Sequence, residues 1–239
     1  MKKIYYEIYE NLRDKIIADV YPYQTYIPSE NTLVDVYECS HNTLRKALAV
    51  LRMHGFVQPI RGKGVMVIYR PHQRANFVLG DIETFKEAAA RNGLTSHTNV
   101  TVFERVVADA QVASRTGFAQ GTELLHVERL REFDGVALIR DKSYFLASAL
   151  DGLTPEIAED SIYAYAEGTL GLEIATSNRT ISMRYATPDD RAVLDLLDFD
   201  MLAVVTSNTF LSNGTKFEST QSRHRPDFFT FNDTAVRGF

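Results

Sequence analysis

Two sets of residues in this 239-residue chain have the types and spacing to do chemistry, and both are cationic. The first lies in residues 41–64. Asn42, Arg45 and Lys46 fall on one side of a run whose other side holds Leu44, Ala47, Leu48 and Leu51 at i, i+3, i+4 and i+7. That spacing is one face of a helix, and His41 stands at its N-terminal end. Arg61-Gly62-Lys63-Gly64 follows, two cations interleaved with two glycines. Such cations pair with phosphate, and Arg can also take the O6/N7 edge of guanine through two parallel hydrogen bonds. Glycines let a backbone come close to its ligand. The second set is Arg129 and Arg131, two residues apart in a strand pattern, so their side chains share one sheet face. Such a pair is either an anion clamp or a set of solvent-facing cross-strand salt bridges. Asp141, on the strand that returns from it, and Glu218, Arg223 and His224, at the end of the last hairpin, complete the charged residues set within strand patterns.

The first set needs a scaffold, and residues 4–68 supply one. Tyr5, Ile8, Tyr9, Leu12 and Ile16 line one face of a first helix, ended by Tyr21-Pro22. Ser29 is a good N-cap for a second short helix over 30–37. Glu38-Cys39-Ser40 is then a turn, and Ser40 caps the third helix, which Gly55 terminates. Two short helices joined by a three-residue turn are a helix–turn–helix, whose second helix enters the DNA major groove. Short strands at 56–57 and 65–68 make a wing with the cationic glycine tip between them.

Charge is divided along the chain. Residues 1–71 hold 10 Lys and Arg against 7 Asp and Glu, a net of +3; residues 72–239 hold 16 against 24, a net of −8. A basic head on an acidic body is the distribution expected of a ligand-sensing domain joined to a DNA-binding one. The polar, proline-containing segment 71–76 reads as a linker between a head at 1–70 and a second domain at 77–239. That domain reads as α+β with a largely antiparallel sheet. Its strands are expected at 100–107, 124–132, 136–145, 180–184, 201–211 and 215–223, with helices at 84–92, 110–115, 161–167 and after Thr187-Pro188.

The single cysteine, Cys39, allows no disulfide within the chain, which points to a reducing compartment. The start, Met1-Lys2-Lys3, runs into a mixed amphipathic stretch instead of an apolar signal core, and no stretch is long and apolar enough to span a membrane. A cytoplasmic protein is expected. There is no metal-ligand spacing, no glycine-rich nucleotide loop and no nucleophile elbow, so no metal, no cofactor and no catalytic group is expected.

Pro28-Ser29-Glu30, the stretch from Ser40 to Leu48, Gly55-Phe56 and Arg61-Gly62-Lys63-Gly64 together resemble the winged-helix head of the GntR family of bacterial repressors. The resemblance implies DNA contacts at Ser29, Ser40, Asn42, Thr43, Arg45, Arg61, Lys63 and the backbone of Gly62 and Gly64. His41 stands where the family usually has Arg, and Asn31 where it usually has Arg after Pro-Ser-Glu, which implies a variant operator. Gly80 to Phe85, Val127-Glu128-Arg129-Leu130-Arg131, Ser161-Ile162-Tyr163 and Ser222 to Asp227 resemble the effector-binding (UTRA) domain of the HutC subfamily, a fold similar to that of chorismate lyase. The fine pattern, in Leu138 to Phe145, Glu218 to Arg225 and Arg237-Gly238, is similar to the trehalose-operon branch, whose effector is a phosphorylated sugar, trehalose 6-phosphate. The resemblance then implies a homodimer on a palindromic double-stranded operator. It implies an effector held at its phosphate by Thr84, Phe85 and Lys86 at a helix N-terminus, by Arg129 or Arg131, and by the hydroxyls of Ser161 and Tyr163. Asp141, Glu218 and His224 are expected on the sugar hydroxyls. A regulator answering another phosphorylated sugar, such as an amino sugar 6-phosphate, is the alternative within the class. An enzyme is the alternative outside it, and no nucleophile–base pair supports one.

Overall fold

The structure is a computed structural model that describes residues 4–70, 77–78 and 95–232. They form two compact units. The expected linker at 71–76, the helix over 84–92 with Thr84, Phe85 and Lys86, and Arg237-Gly238 lie outside the described residues.

In the head, α1 (Ile4–Ile17), α2 (Glu30–Val36) and α3 (His41–Met53) precede β1 (Val57–Ile60) and β2 (Gly64–Val67). Local chemistry sets the helix boundaries. Ser29 Oγ accepts from Thr32 N at 3.2 Å and Ser40 Oγ accepts from Thr43 N at 3.1 Å, each closing one of the free donors of a first turn. Gly55 (φ 73°) ends α3 in the left-handed region that favours glycine. Ile8, Tyr9, Leu12 and Ile16 of α1 close on Leu44, Ala47, Leu48 and Leu51 of α3, with Leu33 and Val67 completing the core. Truncating a fully buried leucine here, such as Leu44, costs about 2–5 kcal/mol. β1 and β2 pair antiparallel, and Tyr26 bridges to Met66 as a third wing element.

Phe77–Val78 (β3) pairs with Phe231–Asn232 (β10) as a two-stranded sheet. The second unit is built on a six-stranded sheet. Its strands are β4 (Ser96–Val107), β5 (Glu123–Phe133), β6 (Val136–Leu146), β7 (Ile174–Tyr185), β8 (Met201–Leu211) and β9 (Lys216–His224). The order β4-β5-β6-β9-β8-β7 is antiparallel throughout. Asp134 (φ 50°) and Gly135 (φ 80°) make the tight turn between β5 and β6. Among the described residues, the helices α4 (Ala110–Thr116), α5 (Pro155–Asp160), α6 (Ile162–Gly168) and α7 (Pro188–Val193) cover it in part. On one face α5 and α6 set Ala158, Ile162 and Ala166 against Leu125, Val127 and Phe145. On the other, Leu194 and Leu196, just after α7, pack on Leu202 and Val204.

The structure differs from the sequence expectation in several places, among them β1, expected at 56–57 and found at Val57–Ile60 through its pairing with β2. β7 begins at Ile174, six residues before 180, because Ala175 to Arg179 carry no apolar alternation and are held by pairing with β8. β4 begins at Ser96 instead of 100, again through pairing, with β5. α5 was not expected, although Thr154 caps it and Pro155 opens it; six residues are too few for a periodic signal.

Candidate DNA-facing surface and anion site

The face of α3 turned away from the core leaves His41, Asn42, Arg45 and Lys46 exposed, and the wing tip leaves Arg61, Gly62, Lys63 and Gly64 exposed. Gly62 (φ 74°) and Gly64 (φ 120°) adopt backbone angles that L side chains rarely take, so the tip conformation depends on both glycines. The hydroxyls of Ser29 and Ser40 serve as helix caps, and Thr43 Oγ1 lies 2.9 Å from Ser40 Oγ. Arg45 Nε donates to Glu30 Oε2 at 3.0 Å, and His41 Nδ1 lies 4.0 Å from the same oxygen. The surface therefore presents cations and amides around one carboxylate.

The second constellation lies on the sheet face that carries α6. The register sets Arg129 opposite Asp141 and Asp141 opposite Ser222, while Ile139 pairs with both Arg131 and His224. Alternation then places Arg129, Arg131, Asp141, Ser143, Glu218, Thr220, Ser222 and His224 on one face. The solvent-facing alternative for the arginines does not hold, since Arg129 and Asp141 are both buried. Arg131 Nε donates to Asp141 Oδ2 at 2.7 Å and its NH1 to Thr98 Oγ1 at 3.2 Å. Ser222 Oγ donates to Asp141 Oδ1 at 2.6 Å. Arg129 comes no nearer than 3.8 Å to Asp141, and its Nε has no hydrogen-bond partner among the described residues.

The electrostatics follow from that arrangement. Burial pulls the Arg129 guanidinium down to about 10, and neighbouring Arg131 adds to the effect, against the pull of Asp141 and Glu218. Burial would raise Asp141, but Arg131, then Arg129 and the Ser222 hydroxyl outweigh it and hold the carboxyl at about 2. Burial lowers His224 to about 4, so its imidazole is neutral near pH 7. Burial first, and then Glu218, push the Tyr163 phenol well above its ordinary value.

α6 sets Tyr163 over this face. Its phenol donates to Glu218 and lies 3.3 Å from Thr209 Oγ1, while Thr220 Oγ1 donates to Glu218 and lies 2.7 Å from Ser143 Oγ. Ser161 Oγ caps α6, accepting from Ala164 N at 3.2 Å. The structure thus brings together Arg129, Arg131, Asp141, Tyr163, Glu218 and His224, and ties Ser161 to them through the start of α6. Sequence reasoning missed Ser143, Thr209, Thr220 and Ser222. The alternation of Thr220, Ser222 and His224 along β9 was the available signal. Asp141 and Glu218 are engaged with protein partners, so their first role is to hold Arg131 and Tyr163.

Comparison with known proteins finds matches for both parts of the chain. Residues 4–67 match the model of bacterial regulatory proteins of the gntR family, and residues 91–230 match that of the UTRA domain. The HTH-type transcriptional regulator TreR of Bacillus subtilis is 36% identical over 231 residues, covering 97% of this chain and 96% of the relative. GmuR, a second HTH-type regulator of that organism, is 29% identical over 97% of the chain and 98% of its own. Among solved structures, the TreR effector-binding domain of Bacillus subtilis superposes with TM-score 0.55 at 37% identity, covering 60% of this chain and 99% of that one. The possible transcriptional regulator YydK of the same organism superposes with TM-score 0.80 over 98% of this chain and all of its own, at 21% identity.

Proposed function

The chain belongs to the GntR family of bacterial transcriptional regulators, with a UTRA domain behind its head, and from that premise we propose that it represses a trehalose-utilisation operon and is released by trehalose 6-phosphate. Its relatives are transcriptional regulators and not enzymes, and so is this protein. One observation carries the ligand class. Arg129 is a buried guanidinium whose Nε has no hydrogen-bond partner among the described residues and whose nearest carboxylate, Asp141, lies 3.8 Å away and is already bonded to Arg131, beside a row of hydroxyls. A buried cation left this way is costly unless an anion completes it. A phosphate meets that need, and the hydroxyls of Ser222, Thr220, Ser143 and Tyr163 with neutral His224 suit a sugar. Similarity to TreR, which is named as a trehalose repressor, favours trehalose as that sugar.

In this reading residues 1–70 are the DNA-binding head, 71–76 the linker and 77–239 the effector domain. Arg45, Asn42 and His41 reach base edges. Ser29, Ser40, Thr43, Arg61, Lys63 and the backbone of Gly62 and Gly64 hold phosphates. Arg129 binds the effector directly, and Arg131, committed to Asp141 and Thr98, shapes the pocket wall. Thr84, Phe85, Lys86 and Ser161 complete the phosphate contacts. Two chains form a homodimer in the cytoplasm whose symmetry matches a palindromic operator. The effector binds the arrangement with misfitted heads more tightly and so shifts the population toward it.

The test is the thermal stability of the purified protein with trehalose 6-phosphate, trehalose, glucose 6-phosphate and N-acetylglucosamine 6-phosphate. At 100 times its Kd a native-state ligand adds about 2.7 kcal/mol. A shift with trehalose 6-phosphate alone supports the full reading. A shift with another sugar phosphate keeps the regulator and changes its operon, and no shift with any of the four removes the sugar phosphate from it. Arg45→Ala is expected to weaken and relax operator binding by about 1–3 kcal/mol. Unchanged affinity and base preference would remove Arg45 from base reading.

A further inference from the structure

The cationic surface of the head contains a carboxylate whose place in a first helical turn is mildly stabilising but does not account for its pairing with a cation there. Glu30 is the first residue of α2, fixed in place by the Ser29 cap. Its Oε2 accepts from Arg45 Nε at 3.0 Å and lies 4.0 Å from His41 Nδ1. The Arg45 side chain is 67% exposed and that of Glu30 37%. An ion pair this exposed adds little to stability. A carboxylate at this position also works against binding, because it repels the phosphates the neighbouring cations attract.

Its consequence is geometric. A guanidinium is a rigid plane with five N–H donors. The bond from Nε to Glu30 fixes the orientation of that plane. Among the described residues it leaves the two terminal nitrogens of Arg45 uncommitted, and those form the fork that matches O6 and N7 of guanine. An unrestrained arginine at this exposed position swings to the nearest phosphate as readily as to a base edge, and a phosphate contact carries no sequence information. The same bond ties the start of α2 to α3, with His41 Nδ1 4.0 Å from the same oxygen.

We propose that Glu30 is the positioning residue for base reading: it holds Arg45 toward a guanine, withholds it from phosphates, and lowers affinity for non-operator DNA in return for discrimination. The inference rests on the reading of the head as a DNA binder with Arg45 at a base.

The test is selection and sequencing from a random-sequence duplex library, using the full-length wild type, Glu30→Gln, Glu30→Asp, Arg45→Ala and the Glu30→Gln/Arg45→Ala double variant. The wild type is expected to enrich a two-fold symmetric motif. Glu30→Gln should flatten the preference at one guanine pair in each half-site, with discrimination there falling about tenfold. It should also bind the unselected library more tightly, with a salt dependence steeper by about 0.9 in log–log slope, the increment of one added phosphate contact. Glu30→Asp keeps the charge and shortens the reach, so flattening in this variant too assigns the effect to geometry. In the Arg45→Ala background Glu30→Gln should change base preference no further. A Glu30→Gln protein that keeps the wild-type preference at every position, or a double variant whose preference is flattened beyond that of Arg45→Ala alone, would overturn the proposal. Failure of the wild type to enrich any motif would instead overturn the base-reading head on which it rests.

Discussion

The two faces of the six-stranded sheet both bury charge, and they balance it differently. On the face opposite the candidate anion site, Arg140, Lys142 and Arg223 each have a carboxylate close by. Arg140 lies 2.8 Å from Glu128 and 3.3 Å from Asp190, Lys142 lies 2.6 Å from Glu128, and Arg223 lies 2.9 Å from Asp190. His126 sits 3.0 Å from Glu104 and 3.3 Å from Glu128. The neighbouring His126, with Lys142 and Arg140, holds Glu128 well below the ordinary carboxylate range against the cost of burial. In that lattice Arg140, Lys142 and Arg223 each lie within 3 Å of a carboxylate oxygen. On the other face two arginines share one carboxylate, and it is 2.7 Å from Arg131 but 3.8 Å from Arg129. The open guanidinium, not the mere presence of buried charge, separates a candidate site from a structural network.

The largest expected effect breaks the closed face. Asp190 is fully buried, serves both Arg140 and Arg223, and closes the capping box of α7 with Thr187. Asp190→Ala leaves two cations without that partner and should cost about 3–5 kcal/mol in urea or thermal unfolding. Unfolding indistinguishable from wild type would mean the lattice is not a stabilising unit.

Next comes acid titration of the open face. His224 titrates near 4 in the fold against about 6.5 when unfolded. A histidine buried neutral contributes stability that is present above the unfolded value and is lost as pH falls through the folded one. Stability should therefore decline between about pH 6.5 and 4, by up to about 3 kcal/mol from this group. Asp141, held at about 2, keeps its charge in the folded protein across that window. The His224→Asn protein should show a shallower slope over the same range, and equal slopes would move the acid sensitivity elsewhere.

A smaller effect sharpens the contrast. Arg129→Met removes the open guanidinium while Asp141 keeps Arg131 and Ser222. Stability without ligand should change by less than about 1.5 kcal/mol. The stabilisation of about 2.7 kcal/mol expected from saturating sugar phosphate should disappear. A variant that still answers the ligand normally would take Arg129 out of the site.

The head was legible in the sequence almost element by element, and the reason is locality. Ser29, Ser40 and Gly55 set helix ends through contacts a few residues away, and the 3.6-residue periodicity of Leu44 to Leu51 states which side is buried. The pairing of Glu30 with Arg45 was not legible, because it spans two helices and depends on how α2 packs on α3. In the second unit, the Asp134-Gly135 turn, the Thr187 cap and the strands from β5 to β9 carried clear signals, apart from the first half of β7. That half and α5 did not, being a polar edge held by its neighbour and a helix of under two turns.

Sequence by itself determined that Arg129 and Arg131 share a face, since two residues is one full period of a strand. It also fixed the charge division between head and body and the residue types that mark the family. Only the tertiary structure decided which arginine Asp141 holds by a hydrogen bond and which it leaves at 3.8 Å. The two are identical in type and nearly so in surroundings along the chain. What distinguishes them is strand register, which sets Thr98 of β4 beside Arg131 and places Asp141 of β6 against both. Thr98 lies 33 residues from Arg131 along the chain and Asp141 lies 10, across a hairpin, and a shift of one residue in either pairing would turn them to the opposite face.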